Sequence, residues 1–291
     1  MQFLNFLISG LSLGAIYAII ALGYTMVYGI AKMLNFAHGD VIMVGSYICF
    51  FAIMRYNLPP IVGVILAMIV CTILGIVIEG LAYKPLRQAP SLAVLITAIG
   101  VSYFLQNAAM LMWSSSPKVF PSIVGNGKLQ IGELTISYVT LVTIAVCLVI
   151  MAGLTWFTGN TKMGKAMRAC SEDRDAARLM GIDVNKTISV TFAIGSGLAA
   201  IAGVLLCSAY PTLTPTTGSM PGIKAFTAAV LGGIGSIPGA FLGGLMLGVI
   251  ETFAKAYIST QLSDAIVFAV LIVVLLVRPA GLLGKQVNEK V

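Results

Sequence analysis

Residues 1–31 have the sequence MQFLNFLISGLSLGAIYAIIALGYTMVYGIA, in which no side chain is charged. About 20 apolar residues in a helix are enough to cross the roughly 30 Å of hydrocarbon in a bilayer. Five further uncharged stretches approach or exceed this length, namely 61–78, 88–117, 134–161, 187–223 and 225–250. One such stretch would be an anchor, whereas six of them predict an all-α polytopic membrane protein.

The composition of the whole chain supports this interpretation. Hydrophobic residues make up 59% of the 291 positions and charged residues 9%, whereas soluble domains have about 25% charged residues. The first cation is Lys32, so the start lacks the basic segment of a signal peptide and predicts a retained helix. Five scattered cysteines without a CxxC pair disfavour a disulfide framework or a metal site. The net charge of +7 is assigned to cytoplasmic loops, not to nucleic-acid binding.

The distribution of cations predicts the orientation of the spans, because cytoplasmic connections are enriched in Lys and Arg. Membrane spans are expected at about 4–30, 41–54, 60–82, 91–113, 136–157, 187–209, 239–257 and 258–277. Loops 83–90 and 158–186 and the C-terminal tail are basic, so all three should be cytoplasmic. The connection 114–135, with Lys118 and Lys128 among turn-forming residues, should lie outside.

The stretch 222–237, GIKAFTAAVLGGIGSI, is needed as a further crossing. An even number of crossings must join the cytoplasmic loop 158–186 to a cytoplasmic tail, yet only three ordinary spans follow that loop. The stretch is too short and glycine-rich for an ordinary helix, so we predict a half-helix that breaks near the midplane, as in transporters. The total is about 8–9 membrane helices with an external N-terminus, and the first helix could instead break at Gly10 or Gly14.

Glycines recur at four-residue spacing, which lets helix backbones approach closely. These glycines are Gly10 and Gly14, then Gly235, Gly239 and Gly243, then Gly244 and Gly248. The pattern predicts helix packing within a bundle.

One motif resembles that of an enzyme. Gly159–Ala166, GNTKMGKA, has the Gly-x4-Gly-Lys skeleton of a phosphate-binding loop. However, Ala166 stands where a magnesium-ligating Ser or Thr is needed, and the segment follows a membrane helix instead of a strand. We therefore predict no ATP hydrolysis by this chain and no cofactor.

The stretch from Gly164 to Gly181, GKAMRACSEDRDAARLMG, is the most highly charged part of the chain. At helical spacing, apolar side chains fall on one face and charged side chains on another. Arg168 and Glu172 lie one turn apart with opposite charges, which predicts an attractive pair. Two interpretations remain open, a helix on the membrane surface or a docking helix for a cytoplasmic partner.

His38, the only histidine, lies in the segment LNFAHGD. A lone histidine cannot build a metal site, so we expect it to hold a helix break by a hydrogen bond or to line a solute path. Apart from Lys224, the predicted bilayer core has almost no ionisable group, whereas ion-coupled carriers usually need them. The chain is therefore interpreted as a passive conduit powered by another protein. A channel or secondary carrier working alone is the main alternative, and a membrane-embedded enzyme comes third.

Six stretches, in order along the chain, are similar to one known family. They are GYTMVYGIAKMLNFAHGDVIMVGSY (23–47), AYKPLR (82–87), ITAIGVSYFLQN (96–107), MGKAMRACSEDRDAARLMGI (163–182), KAFTAAVLGGIGSIPGA (224–240) and LLVRPAGLLG (275–284). With them the chain resembles the LivHM-type permeases of bacterial ABC importers for branched-chain amino acids, and most closely the LivH-type subunit. Permeases for urea, short amides or other amino acids remain alternatives within this family.

The resemblance implies a single permease domain over 1–291 in a bacterial inner membrane, with a cytoplasmic C-terminus. Its implied partners are a second permease subunit, expected to be a paralogue, two cytoplasmic ATP-binding subunits and a periplasmic substrate-binding protein. The substrates would be leucine, isoleucine and valine.

The resemblance also assigns 158–186 to ATPase contact. There, Asp175-Ala176-Ala177 followed by Gly181 resembles the Glu-Ala-Ala, three residues, Gly motif of importer permeases, although Thr191 stands where Ile is expected. We expect ATPase contacts at Gly164, Arg168, Glu172, Asp173, Ala176, Ala177 and Gly181. Free backbone groups should line the translocation path around Asn35, His38, Gly39, Gly232, Gly233 and Gly235.

Overall fold

The computed structural model describes residues 2–125, 127–131 and 134–284. Its first six helices are α1 Gln2–Ala31, α2 His38–Met54, α3 Pro60–Ile78, α4 Ser91–Trp113, α5 Tyr138–Asn160 and α6 Lys162–Glu172. The next five are α7 Arg174–Leu179, α8 Val184–Ala209, α9 Ser219–Gly232, α10 Ile237–Tyr257 and α11 Ser263–Val277. A π-helical turn at Glu79–Tyr83 and a short 3-10 turn at Lys84–Leu86 continue α3.

Four short strands complete the described secondary structure. They are β1 Lys118–Val119, β2 Lys128–Ile131, β3 Leu134–Ser137 and β4 Thr212–Leu213. The first pairs antiparallel with the fourth, and the second pairs antiparallel with the third. The prediction of an all-α polytopic membrane protein is confirmed, because six helices among the described residues are long and apolar enough to cross a membrane. Two shorter apolar helices, α2 and α11, accompany them.

The bundle has two opposite ends. We call the end that carries α6 and α7 the loop face, and the end that carries β1–β4 the hairpin face. Arg174 of α7 donates a hydrogen bond to the backbone oxygen of Ala31, so α1 ends at the loop face. Pairing of Lys118 with Leu213 brings the segments that follow α4 and α8 together at the hairpin face. Helices α3, α5 and α11 therefore run from the hairpin face to the loop face, and α4, α8 and α10 run back.

Helix α1 forms the centre of the bundle and packs antiparallel on α10. It is one continuous helix, so the alternative of a break at Gly10 or Gly14 is wrong. Glycines explain how closely the two helices approach: a β-carbon added at Gly248 would overlap the backbone nitrogen of Gly14, and one added at Gly244 would overlap Ala18. The prediction of glycine-mediated helix packing is confirmed here.

This contact gives a stability prediction. Because the backbone of Gly14 blocks the added methyl group, Gly248→Ala should overpack the α1–α10 contact and cost about 1–3 kcal/mol. The matched control is Gly153→Ala on α5, where the same methyl group enters open space and helix propensity favours alanine by about 0.5–1 kcal/mol. Thermal unfolding of the purified protein in detergent should show a lower midpoint for the first variant only. Equal midpoints for the two variants would contradict the packing.

Two helices, α2 and α9, begin inside the bundle and not at one of its faces. His38 at the start of α2 lies against Gly23 of α1, which in turn approaches Gly195 near the middle of α8. Gly23 precedes the end of α1 by eight residues, or about 12 Å at 1.5 Å per residue. The segment 32–37 therefore returns from the loop face to mid-depth before α2 runs on to the hairpin face.

Helix α9 is the half-helix expected in 222–237, but its break at mid-depth lies at the opposite end from the glycine-rich turn. It starts at Ser219, at mid-depth beside Gly39, and ends with Gly232 near the loop face. The break at mid-depth is thus at its beginning, and the glycine-rich turn after Gly232 lies at a face. The sequence did not indicate that α2 is a second half-helix, because 41–54 was expected to be an ordinary span.

The charged stretch from Gly164 to Gly181 forms two helices and not one. Asp173 has an extended backbone conformation (φ −151°, ψ 118°) between α6 and α7, and its carboxylate accepts hydrogen bonds from the first amides of α7. Arg168 donates to the backbone oxygen of Gly159, and no ion pair joins it to Glu172 within the described residues. The expected attractive pair is therefore wrong.

Candidate functional site

The starts of α2 and α9 meet at mid-depth, and we call this region the half-helix junction. It consists of His38, Gly39 and Asp40 from α2 with Gly218, Ser219 and Gly222 from α9. A β-carbon added at Gly39 would lie 2.6 Å from the backbone oxygen of Gly218, and one added at Gly222 would lie 2.9 Å from the α-carbon of Gly39. Because only glycine allows this approach, the two helix N-termini lie directly against each other.

Both N-termini at the junction lack a capping side chain. The residues at the cap positions are Ala37 and Gly218, neither of which has a side-chain oxygen to accept from the first backbone amides. Most first-turn amides bond to the preceding turn, as His38 does to Asn35 and Ser219 to Thr216, and Pro221 has no amide hydrogen. Among the described residues, the amides of Gly39 and Met220 have no such backbone partner, and the helix dipole adds partial positive charge at each end. Two such ends at one place favour an anionic group, and a carboxylate fits both features.

A buried carboxylate lies at the same place. Asp40 is 1% exposed, and its Oδ1 accepts a hydrogen bond of 2.9 Å from Nε2 of Gln106 on α4. The same amide nitrogen lies 3.2 Å from Oγ of Ser219 and 3.3 Å from Oγ of Ser102. The junction therefore combines two helix N-termini with one carboxylate, so it can match both charges of a zwitterion.

Asp40, Gln106 and Ser219 were not predicted as site residues. Asp40 directly precedes the predicted span 41–54 but is buried at mid-depth, so the expectation of a core almost without ionisable groups is wrong at this position. A signal was present in the sequence, since Gln106 is an amide in the interior of an apolar stretch, where it needs a polar partner. The sequence does not reveal which partner it finds.

The predicted path residues Asn35, His38 and Gly39 lie at or near the junction. His38 is 1% exposed, with its ring 4.6 Å from that of Tyr24, and its Nε2 has no hydrogen-bond partner within the described part of the chain. Oδ1 of Asn35 accepts a 3.0 Å hydrogen bond from the hydroxyl of Tyr83. Asn35 thus fixes the returning segment, and Gly39 forms the helix contact.

The other predicted path residues, Gly232, Gly233 and Gly235, lie at the far end of α9. Gly233 and Gly235 have φ values of 102° and 95°, which favour glycine and form a sharp turn. Amides of the C-terminal segment bond to the last carbonyls of α9, Leu282 to Leu231 and Leu283 to Gly232. These carbonyls are therefore not free for a solute, and the structure does not bring this turn together with the half-helix junction.

The loop face presents an apolar tip. Leu179 and Met180 are 88% and 82% exposed at the end of α7, and Gly181 follows with a φ of 80°. Of the predicted ATPase contacts, the exposed residues are Arg168, Glu172, Asp173, Ala176 and Gly181. Gly164 and Ala177 are buried against the bundle, so a partner protein would reach only their neighbours.

Helix α7 is connected to the half-helix junction through the returning segment 32–37. Arg174 bonds to Ala31 directly before this segment, and Tyr83 donates to Asn35 within it. On the adjacent α3–α8 contact, Glu79 is 1% exposed, pairs with Arg87 and accepts a 2.6 Å hydrogen bond from Ser189. Helix α7 therefore contacts the end of α1, directly before the segment that leads to α2.

Comparison with known proteins gives consistent similarities. The family model described as branched-chain amino acid transport system / permease component matches residues 6–275. The chain is 48% identical to a high-affinity branched-chain amino acid transport system permease protein, BraD, of Pseudomonas aeruginosa, covering 100% of this chain and 98% of that protein. It is 46% identical to the corresponding protein LivH of Escherichia coli, covering 100% and 99%. A probable branched-chain amino acid transport permease protein of Methanocaldococcus jannaschii is 29% identical over 91% of this chain and 88% of its own length. The chain belongs to the family of permease components of branched-chain amino acid transport systems.

Proposed function

We propose that this chain is an inner-membrane permease subunit of an ATP-driven ABC importer for leucine, isoleucine and valine. The observation that carries the proposal is the half-helix junction, in which two uncapped helix N-termini and the carboxylate of Asp40 meet at mid-depth. Family membership makes a branched-chain amino acid the expected solute. In this proposal a periplasmic binding protein delivers the solute, and separate cytoplasmic subunits hydrolyse ATP.

The junction suits the charges of a free amino acid. Moving an unpaired ammonium or carboxylate out of water costs many kcal/mol, so a path through the membrane must replace its hydration. In our proposal Asp40 receives the ammonium group, and the amides of Gly39 and Met220, in the first turns of α2 and α9, receive the carboxylate. The aliphatic side chain then lies against Met220 and Ile223, the half-exposed apolar residues of α9.

A second permease subunit completes the path. Helix α4 carries Ser102 and Gln106, which are half-exposed, and Asn107, which is exposed, in the interior of a span of 23 residues. Polar groups facing hydrocarbon are costly, so this side of α4 favours a protein partner or an aqueous path over lipid. Ser219 at the start of α9 lies 3.2 Å from Gln106, so a solute against Met220 and Ile223 would lie between α9 and the second permease.

The loop face is the proposed contact with the ATPases. Leu179 and Met180 are large apolar side chains that project from a charged loop, and their position is compatible with insertion into a groove of a cytoplasmic subunit. Closure of the two ATPases would move α7, and the Arg174–Ala31 and Tyr83–Asn35 contacts would carry this movement to the start of α2. The path then alternates between the two sides of the membrane.

Reconstitution distinguishes the proposal from a carrier that works alone. The complex that copurifies with this chain is placed in liposomes, with leucine and the binding protein on one side and ATP on the other. Uptake of labelled leucine should require ATP and stop when the nucleotide-binding subunits are omitted. Accumulation by liposomes that contain this chain alone would contradict the proposal and favour an autonomous carrier.

A further inference from the structure

A second polar region lies on the hairpin side of α9, apart from the half-helix junction. It is a cleft of about 240 Å³ between α1, α10, the end of α8 and the segment 210–221. Leu13, Leu206 and Met220 form its apolar wall, and Lys224, Glu251 and Lys255 form its charged wall. An aliphatic surface opposite a charged one is the composition that a small amphiphilic solute needs.

The charged wall is part of a chain of ion pairs. Glu251 is 1% exposed, and its Oε1 accepts from Nζ of Lys224 at 2.7 Å and from Nζ of Lys255 at 2.6 Å. Its Oε2 accepts a 2.8 Å hydrogen bond from the hydroxyl of Tyr17, and Lys224 also pairs with Asp264 at 2.6 Å. Glu251 and Lys255 lie four residues apart on α10, a spacing that favours an ion pair on one helix face. Two ammonium groups and two carboxylates leave the group without net charge.

Lys255 differs from the other members because it is the accessible end of this chain. Its side chain is 38% exposed, whereas those of Lys224 and Glu251 are 8% and 1% exposed. An ammonium group has three donors, and within the described residues Lys255 has Glu251 as its single ion-pair partner. Lys224 keeps Glu251 paired when Lys255 moves. The Glu251–Lys255 pair can therefore open towards the cleft without leaving a buried charge alone.

We propose that this cleft is a receiving site for the zwitterionic amino acid, which binds there before it reaches the half-helix junction. This proposal rests on the proposed function. The solute inserts into the Glu251–Lys255 pair, with its carboxylate on Lys255 and its ammonium group on Glu251. One ion pair is replaced by two, so every buried charge stays matched, as a low-dielectric site requires. The aliphatic side chain lies on the wall formed by Leu13, Leu206 and Met220.

The position of the cleft fits an earlier stage of the same path. Met220 lines the cleft, and the preceding residue, Ser219, belongs to the half-helix junction. The first turn of α9 therefore separates the two sites, and a small shift of this turn opens one to the other. Because the cleft lies on the hairpin face, a solute from that side meets it first.

Protection of an introduced cysteine tests the site directly. Thr212 lines the cleft and is exposed, and all five native cysteines are buried, so Thr212→Cys gives a reporter with low background. The purified complex without binding protein is alkylated by a charged maleimide at increasing concentrations of L-leucine. Occupancy should slow alkylation along a saturation curve, by about tenfold at ten times the dissociation constant. L-leucinol, which lacks the carboxylate, should not protect.

Two further variants complete the experiment. Lys255→Gln in the Thr212→Cys protein should abolish protection, whereas Lys128→Gln, which removes the same charge from an exposed residue of the hairpin face, should leave it unchanged. Ser116→Cys, exposed on this face outside the cleft, should not be protected by leucine. Two results would overturn the receiving site and leave the proposed function in place. In the first, L-leucine does not slow alkylation of Thr212→Cys in a preparation that imports leucine. In the second, it slows alkylation of Thr212→Cys and Ser116→Cys equally. Protection without ATP-driven import would support the site and contradict the proposed function.

Discussion

Replacing Asp40 with Asn should reduce leucine import by about a hundredfold, because the variant removes the charge that we assign to the ammonium group of the solute. A buried interaction with a charged group contributes about 1.5–3 kcal/mol, and a factor of ten corresponds to about 1.4 kcal/mol. Asn has the same size as Asp and keeps an oxygen that can accept from Gln106. The helix contact between Gly39 and Gly218 is also untouched. The loss should therefore appear in transport and not in folding.

Initial rates of labelled leucine uptake by the reconstituted complex measure this effect. Asp183→Asn is a matched control, because Asp183 is exposed on the loop face and Asn can replace its carboxylate as the cap of α8. We expect this control to import leucine at the wild-type rate. Wild-type import by Asp40→Asn, with normal amounts of protein in the membrane, would show that the junction does not hold the ammonium group.

The double variant Leu179→Asp with Met180→Asp should abolish ATP-dependent import. Both side chains are more than four-fifths exposed, so the substitutions should not disturb the bundle. Two carboxylates in an apolar groove would have to lose their hydration without gaining partners, which costs several kcal/mol and prevents docking. The expected consequence is loss of import by more than about a hundredfold.

Copurification of the ATP-binding subunits is the measurement for this variant, together with uptake. The control exchanges the two residues, Leu179→Met with Met180→Leu, and so keeps the apolar area while changing its shape. It should retain the ATPases and most of the import. Normal import by the aspartate variant would place the ATPase contact elsewhere in the protein.

The positions of Lys and Arg in the loops predicted the half-helix α9, the most unusual element of the fold. The basic loop 158–186 and a tail on the same side required an extra crossing, and α9 supplies it although hydropathy alone would not identify a helix of 14 residues. Which end of α9 lies at mid-depth could not be predicted. That depends on contacts between distant segments, Gly39 with Gly218 at one end and Leu283 with Gly232 at the other.

The half-helix α2 shows the limit of hydropathy more clearly. Segment 32–37 has one charge, Lys32, and resembles a short cytoplasmic connection. It nevertheless returns to mid-depth, because Tyr83 donates a hydrogen bond to Asn35 and the central α1 provides an apolar surface for the segment. The span was therefore predicted to begin at 41, after Asp40. The break at Asp173 had a local signal, since Asp is a favoured helix cap, but the amphipathic pattern across it favoured one longer helix.

The sidedness of the loop face tests the central claim most directly, because every proposed contact with an ATPase requires this face to be cytoplasmic. Cys170 is a poor reporter, since burial raises the pKa of its thiol and limits access to it. Leu179→Cys places an accessible thiol on the same loop, and Ser116→Cys places one on the hairpin face. In right-side-out vesicles, a membrane-impermeant maleimide should label Ser116→Cys at once and Leu179→Cys only after permeabilisation. Labelling of Leu179→Cys in sealed vesicles would contradict the account.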